Sequence, residues 1–245
     1  MTDSRRWRFA LLALLMAGCS APSVPVGDYF DRWFGSGPAL KPAALVAIQP
    51  TATARVLWQG NAGSAEKYAF TPAIAANSVY AAGAAGQIVR FDAGSGKVLG
   101  RIETKHRLAG GVGSDGRLIL AGTARGEVLA FDESGKQLWK SQLTGEVLSA
   151  PQTDLGIVVV RSGDGRIFGL DAASGTRKWV YQRTLPALTV RTHAGVVLYR
   201  DAAFAGFAGG RLVALMLSSG NVGWEAAVAL PKGTTELERV ADISS

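Results

Sequence analysis

Four copies of one pattern, about forty residues apart, predict an all-β fold: a β-propeller of four-stranded antiparallel blades. The chain writes GQIVRFDAGSGKVL from Gly86, GEVLAFDESGKQLW from Gly126, GRIFGLDAASGTRKW from Gly165 and GRLVALMLSSGNVGW from Gly210, with leading glycines 40, 39 and 45 residues apart. Turn residues punctuate every copy, and the apolar runs between them are short and β-branched. A sheet of this size cannot bury both faces alone, and radial stacking of neighbours solves that problem.

The third unit, residues 148–182, shows the plan. LSAPQ is a short extended piece, TDLG turns the chain, and GIVVVRS is an apolar strand. SGDG supplies Gly and Asp where a hairpin needs positive φ. GRIFGLD alternates, sending one side-chain set to each face. AASG turns again, and TRKWVYQ closes with a tryptophan. The other units carry Asp115-Gly116 and Ser134-Gly135, and Ser95-Gly96, as turn dipeptides. Asp92, Asp132 and Asp171 precede the last turn of their units, where a carboxylate bonds the turn's N–H groups. Trp139, Trp179 and Trp224 follow Gly135, Gly175 and Gly220 by four residues and are expected to pack between blades. Gly100 replaces the tryptophan in the first unit, and Met216 the aspartate in the fourth. Ahead of the repeats, ARVLWQG at 54–60 reads as a lone last strand, of the kind that joins a ring's ends. Four units amount to half of an eight-bladed ring, so the expectation is a partial propeller over 53–245 in a chain cut short.

The N-terminus reads as an address. Residues 1–19 place arginines first, then an apolar run, then small residues ending in LMAGC, a secretory signal pattern. The end resembles the bacterial lipobox, which makes Cys19 the lipidated residue; Met16 stands where Leu is commonest. Ser20 after the cysteine implies, by the same resemblance, the outer membrane. Residues 20–52 hold Pro22, Pro25, Pro38, Pro42 and Pro50, too dense for regular ladders, and read as a tether.

Composition narrows the chemistry. The chain is 48% hydrophobic with 31 glycines and a net charge of +7. Arg5, Arg6 and Arg8, against Asp3, supply only part of that excess, the rest is spread along the chain, and no basic run is interleaved with aromatics, so nucleic acid is not an expected partner. One cysteine leaves no disulfide and no cysteine-based metal cluster. His106 and His193 have no patterned carboxylate or second ligand nearby in sequence, so no metal or cofactor is expected.

The repeat A-x-D-x-x-[ST]-G-x-x-x-W resembles that of the pyrroloquinoline-quinone-type propellers. Lipobox, tether, lone VLW strand and these repeats together are similar to the propeller lipoproteins of the outer-membrane β-barrel assembly (BAM) machinery. That resemblance covers the whole chain. It implies a non-catalytic scaffold, lipid-anchored at the periplasmic face of the outer membrane. Its implied partners are the barrel protein BamA, through a periplasmic POTRA domain, the rest of the BAM complex, and nascent outer-membrane proteins. Two non-repeat stretches carry the sites. LPALTVR, 185–191, is similar to the loop that contacts BamA, which implies Leu188, Val190 and Arg191 as contact residues. TTELERVADIS, 234–244, is similar to a loop ending Asp-x-Asp, which implies Asp242, with Ser244 at the second aspartate's place. The residues alone leave another reading open: Leu188 and Val190 plug a blade seam and Arg191 is solvated. The alternatives are a fragment of a quinoprotein dehydrogenase and a propeller lipoprotein that binds another envelope protein. The first requires paired cysteines and an acidic Ca²⁺ site that this chain does not assemble.

Overall fold

The computed structural model describes residues 51–183 and 193–229. They form sixteen strands in four antiparallel sheets, each running in chain order from one edge to the other. The first holds β1 (Ala73–Ala75), β2 (Ser78–Ala82), β3 (Gln87–Asp92) and β4 (Val98–Glu103). The second holds β5 (Leu108–Ser114), β6 (Ile119–Thr123), β7 (Glu127–Phe131) and β8 (Gln137–Gln142). The third holds β9 (Gln152–Asp154), β10 (Ile157–Arg161), β11 (Ile167–Asp171) and β12 (Arg177–Tyr181). The fourth holds β13 (Val196–Tyr199), β14 (Ala202–Phe207), β15 (Arg211–Met216) and β16 (Val222–Ala227).

The third blade departs from the expected plan at its first strand. Pairing begins at Gln152, not Leu148, and Asp154 faces Ile157 across a two-residue turn. Leu155 and Gly156 take φ of 48° and 76° there, the left-handed pair that a tight hairpin uses. Residues 148–151 instead run against the second blade. Pro151 has no N–H for a ladder, and its carbonyl lies where a Cβ on Gly113 would be, at 1.7 Å.

The core lies in the seams. Tyr80, Ile88 and Ile102 of blade 1 meet Leu108, Ile119 and Leu129 of blade 2. The other face of blade 2, with Leu120, Val128 and Trp139, meets Val158, Phe168 and Leu170 of blade 3. Ile157, Ile167 and Trp179 meet Phe207, Val213 and Leu215 of blade 4. Blades 2 and 3 are therefore covered on both faces, and β6 and β10 are buried at every position. β2, in the first blade, is fully buried only at alternate residues. Side-chain period is identical in all of them; the neighbours decide which positions are dry.

Trp139 and Trp179 lock their seams in the same way. Trp139 Nε1 donates to Ala172 O of the next blade's last turn at 2.9 Å, and Trp179 Nε1 to Leu217 O at 2.9 Å. A Cβ on Gly175 or Gly220 would lie 2.4 or 2.5 Å from the indole ring above it, so the turn must be glycine there. One extra residue in β4, β8, β12 and β16, marked by a register shift, precedes the tryptophan position in every blade. That bulge bends the edge strand and aims the ring into the seam.

Two expectations about tryptophans need correction. Residues 54–60 pair in no ladder among the described residues, yet Trp58 takes the same seat on blade 1, donating to Ala93 O at 2.9 Å. Trp224 does not pack between blades: it is 47% exposed and leans on Phe204 at 5.8 Å, because no fifth blade follows among the described residues. Where Gly100 replaces tryptophan, Ile102 lies beneath Gly135, and Arg90 spans the seam to Glu133 at 3.7 Å.

The acidic turn residues behave as expected. Asp132 Oδ1 accepts from the N–H groups of Ser134 and Lys136 and from the Ser134 hydroxyl. Asp171 binds Ala173 and Ser174 alike, and Asp92 binds Ser95. The serine hydroxyl is the main reason each of the three carboxyls sits below its ordinary pKa.

Candidate functional site

Antiparallel order puts two kinds of segment at one end of every blade: the turn between its second and third strands, and the connection to the next blade. They are stitched together. Thr104 N donates to Gly86 O, Leu143 N to Gly126 O and Val228 N to Gly210 O, at 2.8–2.9 Å. These acceptors are the leading glycines of the repeat. They hold positive φ, and a Cβ on Gly86 would meet His106 O at 2.3 Å. The glycine that marks the repeat in the sequence is thus where one blade's exit lies on its own turn. At this end lie two described interblade connections, 104–107 and 143–151, and the ends of β12 and β13 that flank the third, 182–195.

Leu188, Val190 and Arg191 belong to the last of these, between β12 and β13, and lie outside the described residues, as do Asp242 and Cys19. What the structure describes is the root of that connection. Arg183 Nη1 reaches Glu225 Oε2 on the outermost strand of blade 4 at 2.8 Å, and Arg211 approaches the same carboxylate at 3.6 Å. The Glu225 bond raises the Arg183 pKa, and Arg183 in turn holds the Glu225 carboxyl below its usual range. Beneath, Tyr181 meets Phe207 edge-on at 5.8 Å, and the buried Arg161 guanidinium lies 5.1 Å over the same ring. On the β13 side of the connection, His193 Nε2 is buried and has no hydrogen-bond partner among the described residues. Arg183, the last described residue on the β12 side of that connection, is thus paired across from blade 3 to blade 4. Arg183, Arg161 and Glu225 carried no signal in the sequence, since the pair Arg183–Glu225 is 42 residues apart.

A second feature lies at the same end, between blades 1 and 2. Tyr68, Lys105, His106, Arg107, Arg125 and Glu127 line a cavity of about 370 Å³. Sequence spacing offered His106 no carboxylate; the fold brings Glu127 Oε2 to 3.1 Å from its Nδ1. Lys140 holds the other oxygen at 3.0 Å. Burial pushes the Glu127 carboxyl up, but these two partners outweigh it and leave the carboxyl below its ordinary value. Between blades 2 and 3, Arg166 bridges Asp164 and Thr144 at 2.7 and 2.9 Å. Among the described residues no three His, Cys, Asp or Glu side chains gather as a metal site. What this end offers is ion pairing and loop contact on a rigid base.

The sequence profile of the family described as "Outer membrane protein assembly factor BamB" matches residues 84–245. The protein of that name from Nitrosomonas eutropha is 47% identical over 247 residues, covering 99% of this chain and 60% of the relative. The chain spans about 60% of the length of this relative and of the protein of that name from Bordetella pertussis, which is 38% identical over 98% of this chain. The crystal structure of BamB from Moraxella catarrhalis superposes with a TM-score of 0.65 at 27% identity, over 71% of this chain and 54% of that one. A quinohemoprotein alcohol dehydrogenase from Comamonas testosteroni shares the fold alone, with a TM-score of 0.54 at 16% identity, over 66% of this chain and 35% of that one.

Proposed function

The chain belongs to the family of the outer membrane protein assembly factor BamB, and from that premise we propose that it is a non-catalytic scaffold of outer-membrane protein assembly. Lipid on Cys19 anchors it to the periplasmic face of the outer membrane. It binds BamA within the BAM complex through a POTRA domain and assists insertion of β-barrel proteins. Leu188, Val190, Arg191 and Asp242 are the contact residues.

One observation carries the reading beyond the family name. Arg183, five residues before Leu188 in the chain, is tied across to blade 4 by Glu225 at 2.8 Å. A segment that starts from an anchored residue has less freedom to lose on binding, and an arginine with aliphatic neighbours suits an interface hot spot. The bulge in every outermost strand favours a scaffold that positions BamA over one that adds nascent strands to its blade edges, because bulges disrupt the ladder an added strand needs.

The test is retention of purified BamA periplasmic domains by the full chain in mild detergent, with wild type and Arg191→Glu compared and both melts recorded. Binding that Arg191→Glu abolishes, with unchanged melts, supports the proposal. A folded wild-type chain that retains no BamA sinks it and turns attention to another envelope partner. Bound quinone and Ca²⁺ with alcohol oxidation would favour the dehydrogenase.

A further inference from the structure

The cavity between blades 1 and 2 shares no lining residue with the Arg183–Glu225 pair, and its charge is unbalanced. Beside Tyr68, its lining holds four basic or imidazole side chains, Lys105, His106, Arg107 and Arg125, against one carboxylate, Glu127. The one carboxylate is already taken by Lys140 at 3.0 Å and His106 at 3.1 Å, both from its flank. Arg107 is tied at 2.5 Å to Glu66, which belongs to the segment ahead of β1. That leaves Lys105 and Arg125, both exposed, with no ion-pair partner among the described residues. They come from two different segments, the 104–107 connection and the β6–β7 turn, and the fold sets them at one cavity.

The backbone beneath them is fixed. Thr104 Oγ1 donates to Gly86 O at 2.8 Å and accepts from His106 N at 3.2 Å, which holds Lys105 at a φ of 60°. Thr123 Oγ1 accepts from Arg125 N at 3.2 Å and Glu127 N at 3.0 Å. Two cations on anchored turns, beside Tyr68 as an apolar wall, bind an anionic group without first ordering their own backbone.

We infer that this cavity is a docking site for an acidic segment of a protein partner, which places a carboxylate between Lys105 and Arg125. The choice of a protein rests on the scaffold reading above, since the cavity opens at the blade end where β12 finishes and β13 begins. A partner held at that end gains a second contact in the cavity, and two weak contacts together add to its residence.

The test uses the full chain and a fluorescein-labelled hexaglutamate peptide, read by anisotropy at low salt. Lys105→Glu with Arg125→Glu is expected to weaken peptide binding about tenfold, the sum of two exposed charge contacts. Arg117→Glu with Lys136→Glu, on exposed residues at the opposite end of blade 2, makes the same change in net charge and is expected to leave binding near wild type. Equal loss in both double variants would show only bulk attraction to a basic protein and overturn the proposal. So would binding of phosphatidylglycerol vesicles that needs Lys105 and Arg125 while the peptide fails to bind, since the ligand is then a lipid phosphate. Thermal melts confirm that each variant folds. The Arg191→Glu chain separates this proposal from the scaffold reading. Peptide binding retained there, with BamA lost, supports both. Peptide binding that needs Lys105 and Arg125, in a chain that never retains BamA, supports the cavity and refutes the partner loop.

Discussion

Trp139 and Trp224 occupy the same place in the repeat, and the structure predicts very different costs for removing them. Trp139 is 7% exposed and donates its indole N–H to Ala172 O at 2.9 Å. Trp224 is 47% exposed and has no indole hydrogen bond among the described residues. A buried tryptophan removes roughly 250 Å² from water. The difference in exposure is then about 100 Å², or about 2.5 kcal/mol at 25 cal/mol/Å². The stranded Ala172 carbonyl adds about 1 kcal/mol. Trp139→Ala should therefore cost about 4–5 kcal/mol, within the range for aromatic truncation, and Trp224→Ala about 1–1.5 kcal/mol. The assay is urea unfolding of the full chain in mild detergent, followed by circular dichroism, with the slopes compared so that midpoints translate into stability. Equal losses in the two variants would refute the reasoning. They would mean that seam burial does not govern these positions, or that something covers Trp224 in solution.

Further tests address the seams, the turns and the partner loop. Gly113→Ala forces a Cβ to within 1.7 Å of Pro151 O, so it should destabilise by about 3 kcal/mol or more; Gly100→Ala, which meets nothing within 4 Å, should be neutral or slightly stabilising in the same titration. Asp92, Asp132 and Asp171 have lowered carboxyl pKa values in the fold, so their contribution is fully present above about pH 3.9 and is lost as pH falls through the native values. Replacing all three with Asn should flatten the acid limb of a stability–pH curve between about pH 4 and 2; an unchanged limb would dismiss the turn bonds as its cause. Arg183→Ala breaks the clamp at the root of the 182–195 connection. It should shift the melt by no more than about 2 °C, as an exposed ion pair does, while weakening BamA retention severalfold; full retention would show that the clamp does not present the loop.

What the sequence by itself determined was local. The glycine-to-tryptophan pattern contains one turn, one carboxylate that caps it and one alternating strand, all within fifteen residues, so neighbouring atoms decide the outcome. That is why the four blades, the role of Asp132 and Asp171, and the packing of Trp139 and Trp179 were legible. The family's contact residues were legible only through resemblance, and they lie outside the described residues. The tertiary structure decided what depends on the distance between blades. His106 and Glu127 are 21 residues apart, and Trp179 and its acceptor Leu217 O are 38 apart. No repeat period names those partners, because radial stacking sets them. The same stacking made β10 dry on both faces and left Trp224 half in water, although one local pattern encodes both blades. It moved the first strand of the third blade to Gln152, because the backbone before it had to lie against Gly110 and Gly113. Burial is a property of neighbours, and neighbours across a seam are chosen by the fold.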